Sequence, residues 1–218
     1  MERFARLTMK AKRHVDMFYY EHKYQKAKHK YIAGVDEVGR GCWAGPVVAC
    51  ACILPVGYEN PAIKDSKVLS IKKREELAKV IKDNCLAYAI SYVDAPRIDI
   101  INIKEAAKEA MVKALSNLKI KPTVVLVDAE DIKFEKATIV PIIKGDAKST
   151  SIAAASIVAK VYRDKILDDL DKQYPQYGFA KNKGYGTIVH LNALKHYGPI
   201  KSVHRFSYKP VKQVIKNS

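Results

Sequence analysis

Apolar positions along this chain repeat with two periods, and the switch between them divides it into elements. Short apolar runs bounded by glycine, proline or charge predict strands at about 31–38, 46–54, 86–93, 123–127 and 138–143. The run Val124-Val-Leu-Val127 shows no alternation, so both of its faces are expected to be covered. Helical spacing predicts a helix from Ser70, as its N-cap, to about Asn84. A second helix spans about 98–118, with Ala106, Ala107, Ala110, Val112 and Leu115 on one face. A third runs over about 151–170 and opens with Ala153-Ala-Ala-Ser156, small residues that permit close approach to a sheet. A fourth lies near 187–196, and residues 1–30 read as a short helix or two, loosely packed. Strands first and then alternating strands and helices indicate one α/β layer domain.

Charge adds a partner to this picture. The 218 residues carry a formal net charge of +16, and apolar residues make up 48%, enough for a substantial core. The excess is concentrated at the two ends. Residues 1–30 carry +6 and residues 172–218 carry +9, with no acid at all in the latter, so the body between them is nearly neutral. A neutral body between basic ends suits a polyanionic partner. Three segments follow: a basic N-terminal extension (1–30), a nearly neutral body (31–171) and a basic C-terminal region (172–218). The four cysteines make no C-x-x-C pair and read as free thiols. No leader peptide and no run long enough to span a membrane is visible, so the chain reads as soluble and cytoplasmic. A monomer is expected.

Against that basic background, four acids stand at the ends of apolar runs: Asp36 and Glu37, Asp128, and Asp146. A carboxylate at the end of a buried strand costs free energy unless something pairs with it. Four in one domain suggest a shared hard cation such as Mg²⁺, which prefers oxygen ligands. Asp36 and Glu37 are adjacent, and neighbours on a regular strand point to opposite faces. Either a bend brings both to one ion, or one acts through its neighbours. Gly39-Arg40-Gly41 follows, a turn whose glycines let a nucleic-acid backbone come close enough for peptide groups to test a 2′-hydroxyl.

The blocks Gly34-Val-Asp-Glu-Val-Gly-Arg-Gly41, Ala44-Gly-Pro-Val-Val48, Asp65-Ser-Lys67, Val127-Asp128, Lys144-Gly-Asp146 through Asp164, Lys183-Gly-Tyr-Gly-Thr187 and His204-Arg-Phe-Ser207 together resemble ribonuclease HII. They occur in the family's order over about 31–208. The resemblance implies a ribonuclease H-like fold: a five-stranded mixed sheet flanked by helices, with a helical C-terminal extension. It implies that Asp36, Glu37, Asp128 and Asp146 bind two Mg²⁺ or Mn²⁺ ions and carry catalysis. Gly39, Arg40 and Gly41 would read the 2′-hydroxyl, and Tyr185 would pack on the sugar just 3′ of the ribonucleotide. Ser66, Lys67, Lys144, Lys148 and Ser151 would contact phosphates. The implied substrates are RNA–DNA hybrids and duplex DNA with embedded ribonucleotides, cut on the 5′ side to leave 3′-hydroxyl and 5′-phosphate ends.

Cys42 stands where the family usually has proline, and Ala129 where glycine often follows the third acid. Residues 1–30 lie outside the resemblance and are too short for the extra N-terminal domain of ribonuclease HIII. Taken singly, Tyr185 reads as a surface aromatic, Asp164 as a helix-surface charge or a partner of Arg163, and His190 and His204 as loop-positioning residues. Two rival functions explain part of the pattern. A junction resolvase would use the same carboxylates but ignore a 2′-hydroxyl. A non-catalytic RNA-binding protein would explain the charge but not the acids.

Overall fold

The computed structural model describes residues 16–64 and 69–216. Its centre is a sheet of β1 (Ile32–Val38), β2 (Val47–Ile53), β3 (Ala87–Val93), β4 (Val124–Asp128) and β5 (Thr138–Ile142), in the order β3-β2-β1-β4-β5. β1 pairs antiparallel with β2 and parallel with β4; β2–β3 is antiparallel and β4–β5 parallel. This is the five-stranded mixed sheet of the ribonuclease H-like fold.

Helices cover both faces, and strand alternation decides which residues meet which helix. On one face, Val47, Ala49, Ala51 and Ile53 of β2 pack with Ala106, Ala110, Met111 and Leu115 of α4 (Ile103–Ser116). On the other, Val48, Cys50 and Cys52 pack with Leu77 and Ile81 of α2 (Ile71–Asn84) and with Ala155 and Val158 of α5 (Thr150–Gln173). β4 is buried on both sides, as its unbroken apolar run predicted. Val125 and Val127 belong to the first layer, while Val124 and Leu126 meet Ile152 of α5. The cysteines are free thiols, three buried and Cys85 partly so. No described helix is long and apolar enough to cross a membrane.

α5 rides directly on β1. A Cβ built on Gly34 would lie 2.0 Å from the Ser151 carbonyl carbon, so only glycine permits this contact. The small residues at the start of α5 thus serve the close approach their composition suggested, and the approach sets α5 beside the end of β1.

Two expectations change. The helix expected over 98–118 is two helices, α3 (Ala95–Ile101) and α4, broken at Asn102. Asn102 sits at φ 66° and its side chain accepts from the amides of Lys104 and Glu105, so capping wins over helix continuation. The basic N-terminal segment is not loosely packed where it is described. α1 (Tyr19–Lys26) docks on the first turn of α5, whose leading N–H groups have no partner within the helix. Glu21 accepts from Ser149 Oγ at 2.6 Å and from the Ser151 amide at 2.9 Å, while the Met17 carbonyl accepts from the Thr150 amide at 2.9 Å. After α5 the chain forms the short α6 (Phe179–Asn182), α7 (Ile188–Tyr197) and α8 (Lys209–Lys216). Their core is Tyr177, Phe179, Leu194, Val211 and Val214 with Leu167 of α5.

Candidate active site

The parallel register of β1 and β4 builds the site. Val35 pairs with Val127, so the next residues, Asp36 and Asp128, stand side by side just past the end of the β1–β4 ladder. Asp146 arrives from the turn Gly145–Ala147 between β5 and α5. The Gly145 amide donates to Asp128 Oδ1 at 2.6 Å, and a Cβ on Gly145 would lie 2.6 Å from Ile152 Cδ1, which would have to move aside. Each of the three aspartates contributes a carboxylate oxygen to a cluster in which all lie within 4.8 Å of one another.

This cluster holds its charge at a cost. Burial pushes the Asp36 carboxyl well above the usual carboxylate range; the charges of Glu37 and Asp128 push it further, and a Ser156 hydrogen bond opposes them. Glu37 stands outside the three-aspartate cluster. One of its oxygens accepts from Arg40 Nη1 at 3.3 Å, and Oε2 is buried with no hydrogen-bond partner among the described residues. Burial also raises the Glu37 carboxyl, with Arg40 opposing. Converging, desolvated, mutually repelling carboxylates with an orphaned oxygen beside them fit a hard divalent cation, which would satisfy oxygens that protein donors leave open.

The opposite rim is the Gly39–Gly41 turn and Tyr185. Gly39 has φ +98°, and a Cβ there would strike Arg163 Nε at 2.2 Å. A Cβ on Gly41 would lie 3.9 Å from Tyr185 Cε1, so the turn and the half-exposed ring face each other. Burial raises the Tyr185 phenol, and the neighbouring Cys42 thiol raises it further. Asp36, Glu37, Arg40, Gly41, Asp128 and Tyr185 line one cleft of about 260 Å³.

Buried groups brace this rim. Arg163, fully buried, donates to the carbonyls of Pro46, Ala44 and Lys183 at 2.9–3.0 Å, tying the loop after β1 to the loop carrying Tyr185. His204 Nδ1 accepts the Ile200 amide, so its proton is on Nε2, which donates to His190 Nε2 at 3.1 Å. His190 therefore donates from Nδ1 to the Tyr185 carbonyl at 2.9 Å. Both rings are buried and neutral, and burial pushes His204 down to about 3. These are loop-positioning histidines.

Lys144 is exposed and Lys148 half-buried, on either side of Asp146. Ser151 is buried, its amide held by Glu21 and its carbonyl against Gly34. Ser66 and Lys67 lie outside the described residues. Several participants escaped the sequence reading. Ser156 and Lys160, four apart on α5, line the cleft, a helical stripe that was legible and that Asp164 continues. Asp164 pairs with Lys160 at 2.7 Å and Arg74 at 3.6 Å, not with Arg163. Glu130, buried and 2.5 Å from Arg40 Nη1, had no local signal, because its partner is ninety residues away.

Known proteins resemble the chain along most of its length. The Ribonuclease HII family model matches residues 33–211. A ribonuclease HII from Caldanaerobacter subterraneus is 50% identical over 97% of this chain and 87% of that protein. One from Acholeplasma laidlawii is 50% identical over 93% and 98% respectively. Among solved structures, ribonuclease H2 from Pyrococcus horikoshii superposes with a TM-score of 0.74 at 29% identity, covering 86% of this chain and 98% of that one. A ribonuclease HIII solved with Mn²⁺ shares the fold at 20% identity, with a TM-score of 0.65 over 86% of this chain and 70% of that one.

Proposed function

This chain belongs to the ribonuclease HII family and is a ribonuclease H endonuclease, and we propose that it cuts RNA–DNA hybrids and duplex DNA on the 5′ side of embedded ribonucleotides, using Mg²⁺ or Mn²⁺. The observation that carries this reading is the three-aspartate cluster, of which Asp36 and Asp128 line one cleft with Arg40, Gly41 and Tyr185. A carboxylate cluster alone serves any metal nuclease. A glycine turn opposite an exposed tyrosine adds a place to sense the sugar.

Asp36, Asp128 and Asp146 would hold the cation, with Glu37 as the fourth ligand once its orphaned oxygen turns to it. A bound divalent cation supplies the acidified water and the charge stabilisation that phosphodiester hydrolysis needs, leaving 3′-hydroxyl and 5′-phosphate ends. The backbone of Gly39, Arg40 and Gly41 tests the 2′-hydroxyl. Tyr185 packs against the sugar on the 3′ side, where a ring face favours a deoxyribose and so registers the junction. Lys144 and Lys148 flank Asp146 and take phosphates, joined by Ser66 and Lys67. The basic 172–218 region holds the duplex backbone.

The test is cleavage of a DNA duplex carrying one ribonucleotide, with Mg²⁺ or Mn²⁺ and with EDTA, beside an all-DNA control. A metal-dependent cut 5′ to the ribonucleotide is expected. Cutting of branched all-DNA substrates instead would favour a resolvase, and no metal-dependent cutting of any substrate would sink the nuclease reading.

A further inference from the structure

The turn proposed to read the 2′-hydroxyl does not hold itself in place. Its Arg40 carbonyl accepts two hydrogen bonds from the far end of the chain, Arg205 Nη1 at 2.9 Å and Tyr208 Oη at 2.5 Å. Arg205 Nη1 also donates to Tyr208 Oη at 2.9 Å, closing a triangle on that oxygen. Arg205 is fully buried, and among the described residues it pairs with no carboxylate. Its other two nitrogens also bond backbone: Nε and Nη2 both reach the Gly45 carbonyl, at 3.1 and 2.9 Å, and the Arg205 amide donates to the Trp43 carbonyl at 2.8 Å. A planar guanidinium gripping Gly45 from two nitrogens has no freedom left at the third. Its Nη1 is therefore aimed at Arg40 by the loop that Arg40 itself begins.

A buried arginine without a counter-charge is costly, and a saturated carbonyl cannot accept from a ligand. Neither feature is needed to fill space. Both make sense if the height of the turn above the cleft must be held closely. From this geometry we infer that Arg205 and Tyr208 are positioning residues for sugar discrimination: they hold the Gly39–Gly41 turn where its peptide groups distinguish a ribose from other sugars. Sugar selection passes through them, while the carboxylates do the hydrolysis. The inference rests on the proposal that this turn reads the 2′-hydroxyl. It also excludes the Arg40 carbonyl as the group that accepts from that hydroxyl, leaving the task to other peptide groups of the turn.

The experiment compares two DNA duplexes, one with a single ribonucleotide and one with a 2′-fluoro nucleotide at the same place. The ratio of kcat/KM values is measured for wild type, Tyr208→Phe and Arg205→Lys. Tyr208→Phe deletes one hydroxyl and leaves Arg205 to hold the carbonyl, so it keeps the test alive if Arg205→Lys fails to fold. The ratio should fall by about three- to tenfold in Tyr208→Phe and by more in Arg205→Lys, in line with the loss of one hydrogen bond and of a charged fork. A merely structural role would slow both substrates alike; an unchanged ratio in folded Tyr208→Phe overturns the inference. Wild type that treats the two duplexes equally would overturn the reading of the turn itself, and the inference with it.

Discussion

Ala129 sits at φ 50° just after Asp128, where a side chain is strained. The left-handed region costs an L-residue about 1–2 kcal/mol, and glycine gives back about 0.5–1 kcal/mol through its freer unfolded chain. Ala129→Gly is therefore expected to stabilise the protein by about 0.5–1 kcal/mol in urea unfolding, with activity unchanged; a destabilised variant would mean that the strain is absorbed elsewhere. The departure from glycine visible in the sequence thus has a backbone cost that only the dihedral angle reveals. Asp36 is the opposite case, a residue kept at a cost for its chemistry. Asp36→Asn should lower turnover by on the order of a thousandfold, the loss of several kcal/mol of charge stabilisation, while duplex affinity holds or rises. In the metal-free protein the folded state keeps the Asp36 carboxyl protonated to higher pH than the unfolded chain does. Its contribution to stability is thus lost as pH rises through the raised folded value. Metal-free Asp36→Asn should show a flatter stability–pH curve, and a wild-type-like cleavage rate would remove Asp36 from the site.

Two elements carry predictions of their own. The docking of α1 on α5 depends on Glu21, a carboxylate at a helix N-terminus accepting two hydrogen bonds. Glu21→Ala should cost about 1–3 kcal/mol, since it leaves a hydroxyl and an amide buried without their acceptor. Faster hydrogen exchange should then be confined at first to the opening turn of α5; uniform loss across the sheet would contradict this account. The second element is the His204–His190–Tyr185 chain. His204 has its folded pKa depressed to about 3 against an ordinary 6.5. The unfolded chain therefore binds a proton between those values that the folded protein does not. The stability is fully present above about 6.5 and is lost as pH falls toward 3. A His204→Phe variant should lose part of this acid sensitivity, as read from urea midpoints across that range.

For the whole molecule, the charge distribution predicts the salt dependence of binding. The segment 172–218 has nine Lys and Arg and no acid. Each phosphate contact contributes about −0.9 to the slope of log affinity against log salt. Replacing exposed Lys181 or Lys195 by Gln should each reduce the slope by about one if that lysine meets a phosphate. Binding that is insensitive to salt would contradict the role given to this region.

What local chemistry alone specifies was legible along the chain. The strands and most helices followed from apolar periodicity, the acids from their place at strand ends, and the Gly39–Gly41 turn from its glycines. The family resemblance rests on those same blocks in order. Where the reading failed, the deciding contact was remote. Asn102 broke a helix by a side-chain cap that competes with a spacing pattern. Glu21 and Met17 satisfied amides of α5 that nothing nearby could reach. Glu130 and Tyr208 joined the site across distances in sequence that no motif spans. The sequence by itself determined which groups this protein possesses and the period on which each element presents them. Only the tertiary structure decided that three aspartates converge while Glu37 turns to Arg40, because convergence follows from strand register, from Gly34, which lets the backbone of α5 touch β1, and from the Gly145 amide that holds Asp128. Those are distances between segments, and a linear pattern does not contain them.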